Sequence, residues 1–219
     1  MAATLTISNI TRQSVTIVNM KNAIILHGKP GKEEYYDPDV PSCSNFHWFP
    51  WLQKQLLVHD IYAHTPEIPD AWKPYYPTWQ KEFERYEITP ETILVGHSCG
   101  GGFLVRWLSE HRDTKVGQVV LIAPSLGVGW DNTGFFDFEI DSNLASRTRG
   151  LIIFGSDNDK SSLIETAAKL RSTINGSQYR EFKGYGHFTL GSMKTDKFPE
   201  LLEELLEGSS LPDPSSRNL

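Results

Sequence analysis

The sequence predicts an α/β protein, a three-layer α/β/α sandwich around a mostly parallel central sheet. Short apolar segments of strand length alternate with segments of helical periodicity along most of the 219 residues. Several strand segments are apolar at every position, which is typical of strands that are buried on both faces between layers of helices. The predicted strands are residues 23–26, 56–62, 93–95, 119–123, 151–154 and 178–182.

Four segments between or after these strands have the periodicity of amphipathic helices. After the glycines at 100–102, Phe103 and Trp107 lie four residues apart, with further apolar residues on the same face. The other predicted helices are the C-terminal half of residues 69–86, residues 161–174 and residues 198–206. Because strands and helices alternate, the pattern favours parallel strands that are joined by helical crossovers.

The composition is that of one globular domain, with 39% apolar and 22% charged residues. We predict a domain over residues 20–208, a disordered extension over residues 1–19 and a frayed tail over residues 209–219. The net charge of −6, without any run of Lys or Arg, argues against binding to nucleic acid or to an anionic membrane surface.

The two cysteines, Cys43 and Cys99, are too few for a disulfide framework, and no His/Cys cluster has the spacing of metal ligands. The sequence therefore predicts neither a metal nor another cofactor. The first nineteen residues contain no apolar run of signal-peptide length, and no membrane span is predicted. We expect a cytoplasmic protein.

A glycine-rich turn joins one predicted strand to the helix that follows it. The stretch "ILVGHSCGG" places Ser98 in a G-x-S-x-G motif directly after an apolar strand. In this context the turn is sharp and holds the serine oxygen at the sheet edge, where side chains at positions 96 and 100 would collide with neighbouring backbone. Ser98 is therefore the predicted nucleophile, and the adjacent Cys99 fits a small buried side chain better than a reactive thiol.

A serine nucleophile needs a histidine base and a carboxylate that orients it, in the chain order Ser, Asp or Glu, His. Asp157 and Asp159 follow one predicted strand, and His187 lies on a glycine-rich loop after the last strand. Because the carboxyl ends of parallel strands meet at one edge, we expect these side chains to lie near Ser98. The spacing alone does not decide which of the two is the orienting carboxylate, since either aspartate can instead cap the next helix.

Two further predictions concern the surroundings of the serine. The first strand ends in "LHGKPG", so the backbone N–H groups of Lys29 and Cys99 are predicted to stabilise the oxyanion of a tetrahedral intermediate. Long aromatic loops suit the rim of a binding site, and we predict that Trp130 and Phe135 contact an apolar part of the substrate. The alternative is that these loops cover part of the core.

The motifs "LHGKPG", "VGHSCGG", "IIFGSDND" and "GYGHF" resemble, in this order, those of the α/β-hydrolase family. The sequence is similar to compact serine hydrolases without a large cap domain, among them the YdeN-type and retinoblastoma-binding-protein-9-like proteins. The resemblance spans residues 21–206 and implies Ser98 as nucleophile and His187 as base. It also implies Asp159 as the acid, at the second acidic position of a G-S-x-x-D pattern. Lys160 stands where relatives often have proline, so Asp157 remains an alternative.

Together, the motifs and the resemblance predict a serine hydrolase that cleaves an ester, thioester or amide through an acyl-enzyme. Its predicted partner is a small-molecule acyl substrate, and a carboxylesterase-like activity is the specific prediction. An acyltransferase or a peptidase with the same triad is one alternative. The other is a binding protein that keeps the fold without turnover.

Overall fold

A parallel sheet lies at the centre of the structure, a computed structural model that describes residues 21–127 and 134–209. The strands in these ranges are β1 (Lys21–Leu26), β2 (Ile61–His64), β3 (Ile93–His97), β4 (Gln118–Ile122), β5 (Gly150–Ser156) and β6 (Gln178–Phe182). They lie in the order β2-β1-β3-β4-β5-β6, and each neighbouring pair is parallel.

Helices cover both faces of this sheet. The α-helices of the described ranges are α1 (Lys32–Tyr36), α2 (Phe49–Val58), α3 (Tyr76–Phe83), α4 (Cys99–Glu110), α5 (Ser161–Thr173), α6 (Leu190–Met193) and α7 (Pro199–Ser209). Successive strand residues point to opposite faces. Ile24 therefore packs in a core with α3, α4 and α5, whereas Ile25 packs with α2 and α7. The predicted three-layer α/β/α sandwich is confirmed.

The strand order places a crevice at the ends of β1 and β3. The chain runs from β1 to β2 on one side of the sheet and then returns, so that β3 pairs with the other side of β1. Leu26 lies opposite Gly96 at the end of this pair. In open parallel sheets, ligands bind outside the carboxyl ends of strands at such a reversal. The loops that carry Lys29 and Ser98 both start here.

The predicted strand over residues 56–62 is wrong in its first half. Residues up to Val58 belong to α2, and β2 begins only at Ile61. Leu56 is buried on the inner face of that helix. A short apolar run does not by itself separate a buried helical turn from a buried strand, which explains the error.

The chain ends are described only in part. Residues 1–20 and 210–219 lie outside the described ranges, so the extension and most of the tail stay predictions. Ser209, the first residue of the predicted tail, instead closes α7, which was predicted to end at residue 206. Among the described helices, none has both the length and the apolar character that crossing a membrane requires.

Candidate active site

Ser98 lies at the turn between β3 and α4, where the G-x-S-x-G motif predicts it. Its backbone has φ 53° and ψ −115°, a sparsely populated conformation that is typical of strain at functional sites. Main-chain hydrogen bonds hold the turn: the Ser98 N–H donates to the Ile122 carbonyl, and the Ser98 carbonyl accepts the Ser125 N–H, each at 2.9 Å.

Gly100 shows why this turn needs glycine. A Cβ atom at position 100 would lie 2.6 Å from the carbonyl oxygen of His27 and 2.7 Å from that of Leu26. Both oxygens belong to the backbone at the end of β1, so they cannot move aside as the tip of a side chain can. The missing side chain therefore allows α4 to start directly against β1.

The loops after β5 and β6 are joined by side-chain hydrogen bonds. We call residues 156–159 the acid loop and residues 184–187 the base loop. Each acid-loop side chain bonds to one base-loop residue. Three of these bonds go to main-chain N–H groups: Ser156 Oγ accepts from Tyr185 at 3.1 Å, Asp157 Oδ1 accepts from Gly184 at 2.8 Å and Asn158 Oδ1 accepts from Gly186 at 2.8 Å. The fourth joins two side chains, with Asp159 Oδ2 at 2.9 Å from Nδ1 of His187.

This arrangement brings Asp159, and not Asp157, to the imidazole. The Asp159 carboxylate is nearly buried, with 4% of its side chain exposed, whereas the His187 side chain is 28% exposed. A carboxylate that accepts from Nδ1 fixes the proton on that nitrogen. The lone pair on Nε2 of His187 is then available to take a proton.

Two buried side chains, which no sequence motif marked, bond to the main chain at the last residue of the base loop and at the residue after it. His97 Nε2 donates to the carbonyl of His187 at 2.8 Å, and Trp48 Nε1 donates to the carbonyl of Phe188 at 2.9 Å. Burial, and after it the neighbouring His187, keeps the pKa of His97 well below its usual value, so this ring is neutral. The histidine beside the serine therefore positions the backbone of His187.

A cavity of about 410 Å³ is lined by Ser98, His187 and the Gly28-Lys29 loop. This loop approaches the serine closely, since a Cβ atom at Gly28 would lie 3.1 Å from the Cβ of Ser98. Cys99 is the first residue of α4, and N–H groups in a first helical turn have no partner within the helix. The two backbone amides predicted for the oxyanion thus belong to the segments that meet at Ser98.

Ser98 and His187 line one cavity without a direct bond. Among the described residues, Ser98 Oγ makes no hydrogen bond to the His187 ring. Hydrogen bonds between a nucleophile and its base are often long until a substrate is bound. The shared cavity allows the two groups to act on the same ligand.

Phe135 does not lie at the rim of this cavity, which corrects that prediction. Its side chain is 1% exposed, and its ring packs against Trp79 with the centroids 5.4 Å apart, in the core beside α3 and α4. Trp130 lies outside the described residues. Among the described residues, the Phe, Trp or Tyr side chains that line the cavity are Phe46 and Phe49. The aromatic cluster "FHWF", residues 46–49 at the start of α2, was the available signal for them.

Neither cysteine is a better candidate nucleophile than Ser98. Cys43 lines the cavity, but burial and, after it, the charge of Glu67 raise the pKa of its thiol to about 12. Burial also raises the pKa of Cys99. Both thiols are therefore protonated at neutral pH. Within residues 21–127 and 134–209, no group of three His, Cys, Asp or Glu side chains could hold a metal ion.

Known proteins are similar to this chain in both sequence and fold. A family model described as "Serine hydrolase" matches residues 40–205. The "Putative hydrolase YdeN" of Bacillus subtilis (strain 168) is 28% identical over 172 residues, which cover 70% of this chain and 89% of YdeN.

Solved structures share the architecture. The structure of the ydeN gene product from B. subtilis has a TM-score of 0.73 at 23% identity, covering 87% of this chain and 100% of that one. Est1E from Butyrivibrio proteoclasticus, with ferulic acid bound, has a TM-score of 0.58 at 11% identity, covering 86% and 88%. The predicted α/β-hydrolase fold is confirmed. The family model matches well over half of the residues of this chain, and the chain therefore belongs to the serine hydrolase family.

Proposed function

We propose that this serine hydrolase cleaves small carboxylic esters through an acyl-enzyme on Ser98. The observation that carries the proposal is the 2.9 Å contact between Asp159 and Nδ1 of His187, a histidine that lines the same cavity as Ser98. The three residues follow one another in the chain order of α/β-hydrolase triads. Thioesters and amides are open to the same chemistry.

In the first half of the proposed reaction, His187 Nε2 takes the proton of Ser98 Oγ while this oxygen attacks the ester carbonyl. Asp159 stabilises the imidazolium that forms. The N–H groups of Lys29 and Cys99 hold the negative charge on the former carbonyl oxygen, and loss of one such donor costs about 3 kcal/mol of barrier. His187 then gives its proton to the leaving alcohol, and the acyl group stays on Ser98.

In the second half, water replaces the alcohol. His187 takes a proton from the water as its oxygen attacks the acyl carbonyl, and the proton returns to Ser98 Oγ when the carboxylic acid leaves. An alcohol in place of water would make the site an acyltransferase. A peptide amide as substrate would make it a peptidase. Product analysis with competing alcohols and peptides separates these outcomes.

Labelling with a fluorophosphonate probe tests the proposal. The probe forms a bond between phosphorus and the serine oxygen and releases fluoride, so it reports an activated serine. We expect wild type to be labelled and Ser98→Ala to be inert. The matched control is Ser172→Ala, which removes an exposed serine of α5 and should be labelled like wild type.

Aryl esters of graded acyl chain length then measure turnover. We expect hydrolysis by wild type and by Ser172→Ala, with at least a thousand-fold loss in Ser98→Ala because no acyl-enzyme can form. A wild type that reacts neither with the probe nor with any ester would overturn the proposal. That result would favour a binding protein with this fold.

A further inference from the structure

A second imidazole, that of His47, lines the cavity beside the proposed base. It comes from the segment just before α2, and the reaction described above makes no use of it. Its ring stacks on Phe46, with the centroids 4.2 Å apart and an angle of 23° between the planes. The His97 ring lies edge-on to it at 6.2 Å. These contacts fix the plane of the His47 ring.

The backbone of His47 is strained. Its φ of 56° lies in the left-handed region, which residues with a side chain adopt only when the surrounding structure requires it. The next residue, Trp48, is fully buried and bonds to the carbonyl of Phe188. The left-handed turn thus keeps Trp48 in the core while the His47 ring faces the cavity.

Hydrogen bonding sets the tautomer of His47. The N–H of Leu190 donates to His47 Nδ1 at 3.3 Å, and a neutral imidazole that accepts at Nδ1 carries its proton on Nε2. Burial is the largest cause that lowers the pKa of His47, to about 4, so the ring is neutral at physiological pH. No described residue accepts a hydrogen bond from Nε2. This N–H is available to a ligand in the cavity.

The position of His47 indicates which part of a substrate it meets. It bonds to Leu190, three residues after His187, and a charge on either imidazole would disfavour a charge on the other. His187 delivers the proton to the leaving oxygen, so the alcohol portion of an ester occupies the space beside that ring. In the proposed reaction the carbonyl oxygen of the ester instead binds to the backbone N–H groups of Lys29 and Cys99.

We infer that His47 binds substrate, with its Nε2–H donating a hydrogen bond to an oxygen in the alcohol portion of the ester. The inference rests on the proposed function and narrows its substrate class to esters of oxygenated alcohols, with an ether, hydroxyl or carbonyl oxygen close to the scissile bond. A plain alkyl ester has no acceptor atom at this position and would leave the N–H without a partner on the ligand. That unmade bond is the source of the selectivity.

Two isosteric substrates test this role: 2-methoxyethyl butanoate and n-butyl butanoate, which differ by one ether oxygen in place of a methylene. We expect the ratio of their kcat/KM values to be about 3- to 10-fold higher in wild type than in His47→Leu, the worth of one neutral hydrogen bond. Any difference in intrinsic reactivity between the two esters is the same for wild type and variant and therefore cancels when the two ratios are compared. His47→Asn keeps an N–H donor and tolerates the left-handed backbone, so it should recover part of the preference.

The control variant is His59→Gln, which changes an exposed histidine at the end of α2 and should leave the ratio at the wild-type value. Fluorophosphonate labelling of every variant is measured in parallel. A labelled His47→Leu with the wild-type ratio would overturn the role of His47 and leave the proposed function intact. An unlabelled wild type that hydrolyses neither ester would overturn both. If His47→Leu does not fold, His47→Gly removes the donor and relieves the strain, and its ratio decides in the same way.

Discussion

The turn at Ser98 is held by the main chain, whereas the acid and base loops are held by side chains. Around Ser98 the fixed contacts are backbone hydrogen bonds and the close approach of Gly100 to the end of β1. Between the two loops, four side chains of residues 156–159 bond to residues 184–187. An atom added at the turn should therefore destabilise the fold, whereas the loss of a particular polar atom in the two loops should lower the rate of catalysis.

The largest effect is expected for Asp159→Asn. An amide at this position can donate to Nδ1 of His187, which would move the imidazole proton to Nε2 and leave no lone pair there for the serine proton. We expect kcat for an aryl ester to fall about 10⁴-fold. The thermal unfolding midpoint should stay close to that of wild type, which separates a lost tautomer from a lost fold. A decrease in kcat below 10-fold would remove Asp159 from the proposed triad.

Gly100→Ala tests the main-chain half of the comparison. The new methyl group would meet two backbone oxygens at 2.6 and 2.7 Å. We expect a loss of about 3 kcal/mol in the free energy of unfolding and a midpoint about 10 °C lower. Gly31→Ala is the matched control, because its Cβ would meet nothing closer than 3.9 Å and its φ of −67° suits alanine. Equal midpoints for the two variants would contradict this explanation of the turn.

The difference between the two regions also explains how far the sequence could be interpreted. The need for glycine around Ser98 is local, because strand, turn and helix are consecutive in the chain. The motif and its apolar strand were therefore enough to predict the turn and to select Ser98 as the proposed nucleophile. The parallel sheet was likewise predicted from uniformly apolar strands such as 119–123. Asp157 and Asp159 could not be separated by spacing, because hydrogen bonds to a loop 27 to 28 residues away decide where each carboxylate points.

Contacts between distant segments account for the residues that were missed or misplaced. The hydrogen bonds from His97 and Trp48 to the segment after β6 join residues that are 90 and 140 positions apart in the sequence. No local sequence pattern predicts such contacts. Phe135 lies among turn-forming residues, which favoured a surface position, yet its ring fills the core against α3. His47 had no neighbouring glycine to mark it, and only its backbone conformation and its place in the cavity single it out.

Asn158→Ala tests the side-chain half of the comparison with a smaller expected effect. Asn158 Oδ1 accepts both the Gly186 N–H and the Ser156 hydroxyl, each at 2.8 Å, so alanine removes two bonds beside His187. We expect kcat to fall about 10-fold with little change in KM, because the base is misplaced while the cavity is kept. Asn158→Asp keeps the acceptor oxygen and should restore most of the rate. Wild-type kcat in Asn158→Ala would show that this bond does not position the base.

Asp157→Asn should have the smallest effect, although it changes an acid two residues from Asp159. Asp157 is exposed and uses only Oδ1, as acceptor of the Gly184 N–H, and an asparagine side chain offers the same oxygen in the same place. We expect kcat within about 2-fold of wild type, because no charge on this residue contacts the imidazole. Both variants are measured on the same aryl ester. The two substitutions are chemically identical and differ in which base-loop residue the side chain bonds to, Gly184 for Asp157 and His187 for Asp159. A large loss in Asp157→Asn together with a small one in Asp159→Asn would assign the proposed acid to Asp157, and the Asp159 contact would then be structural.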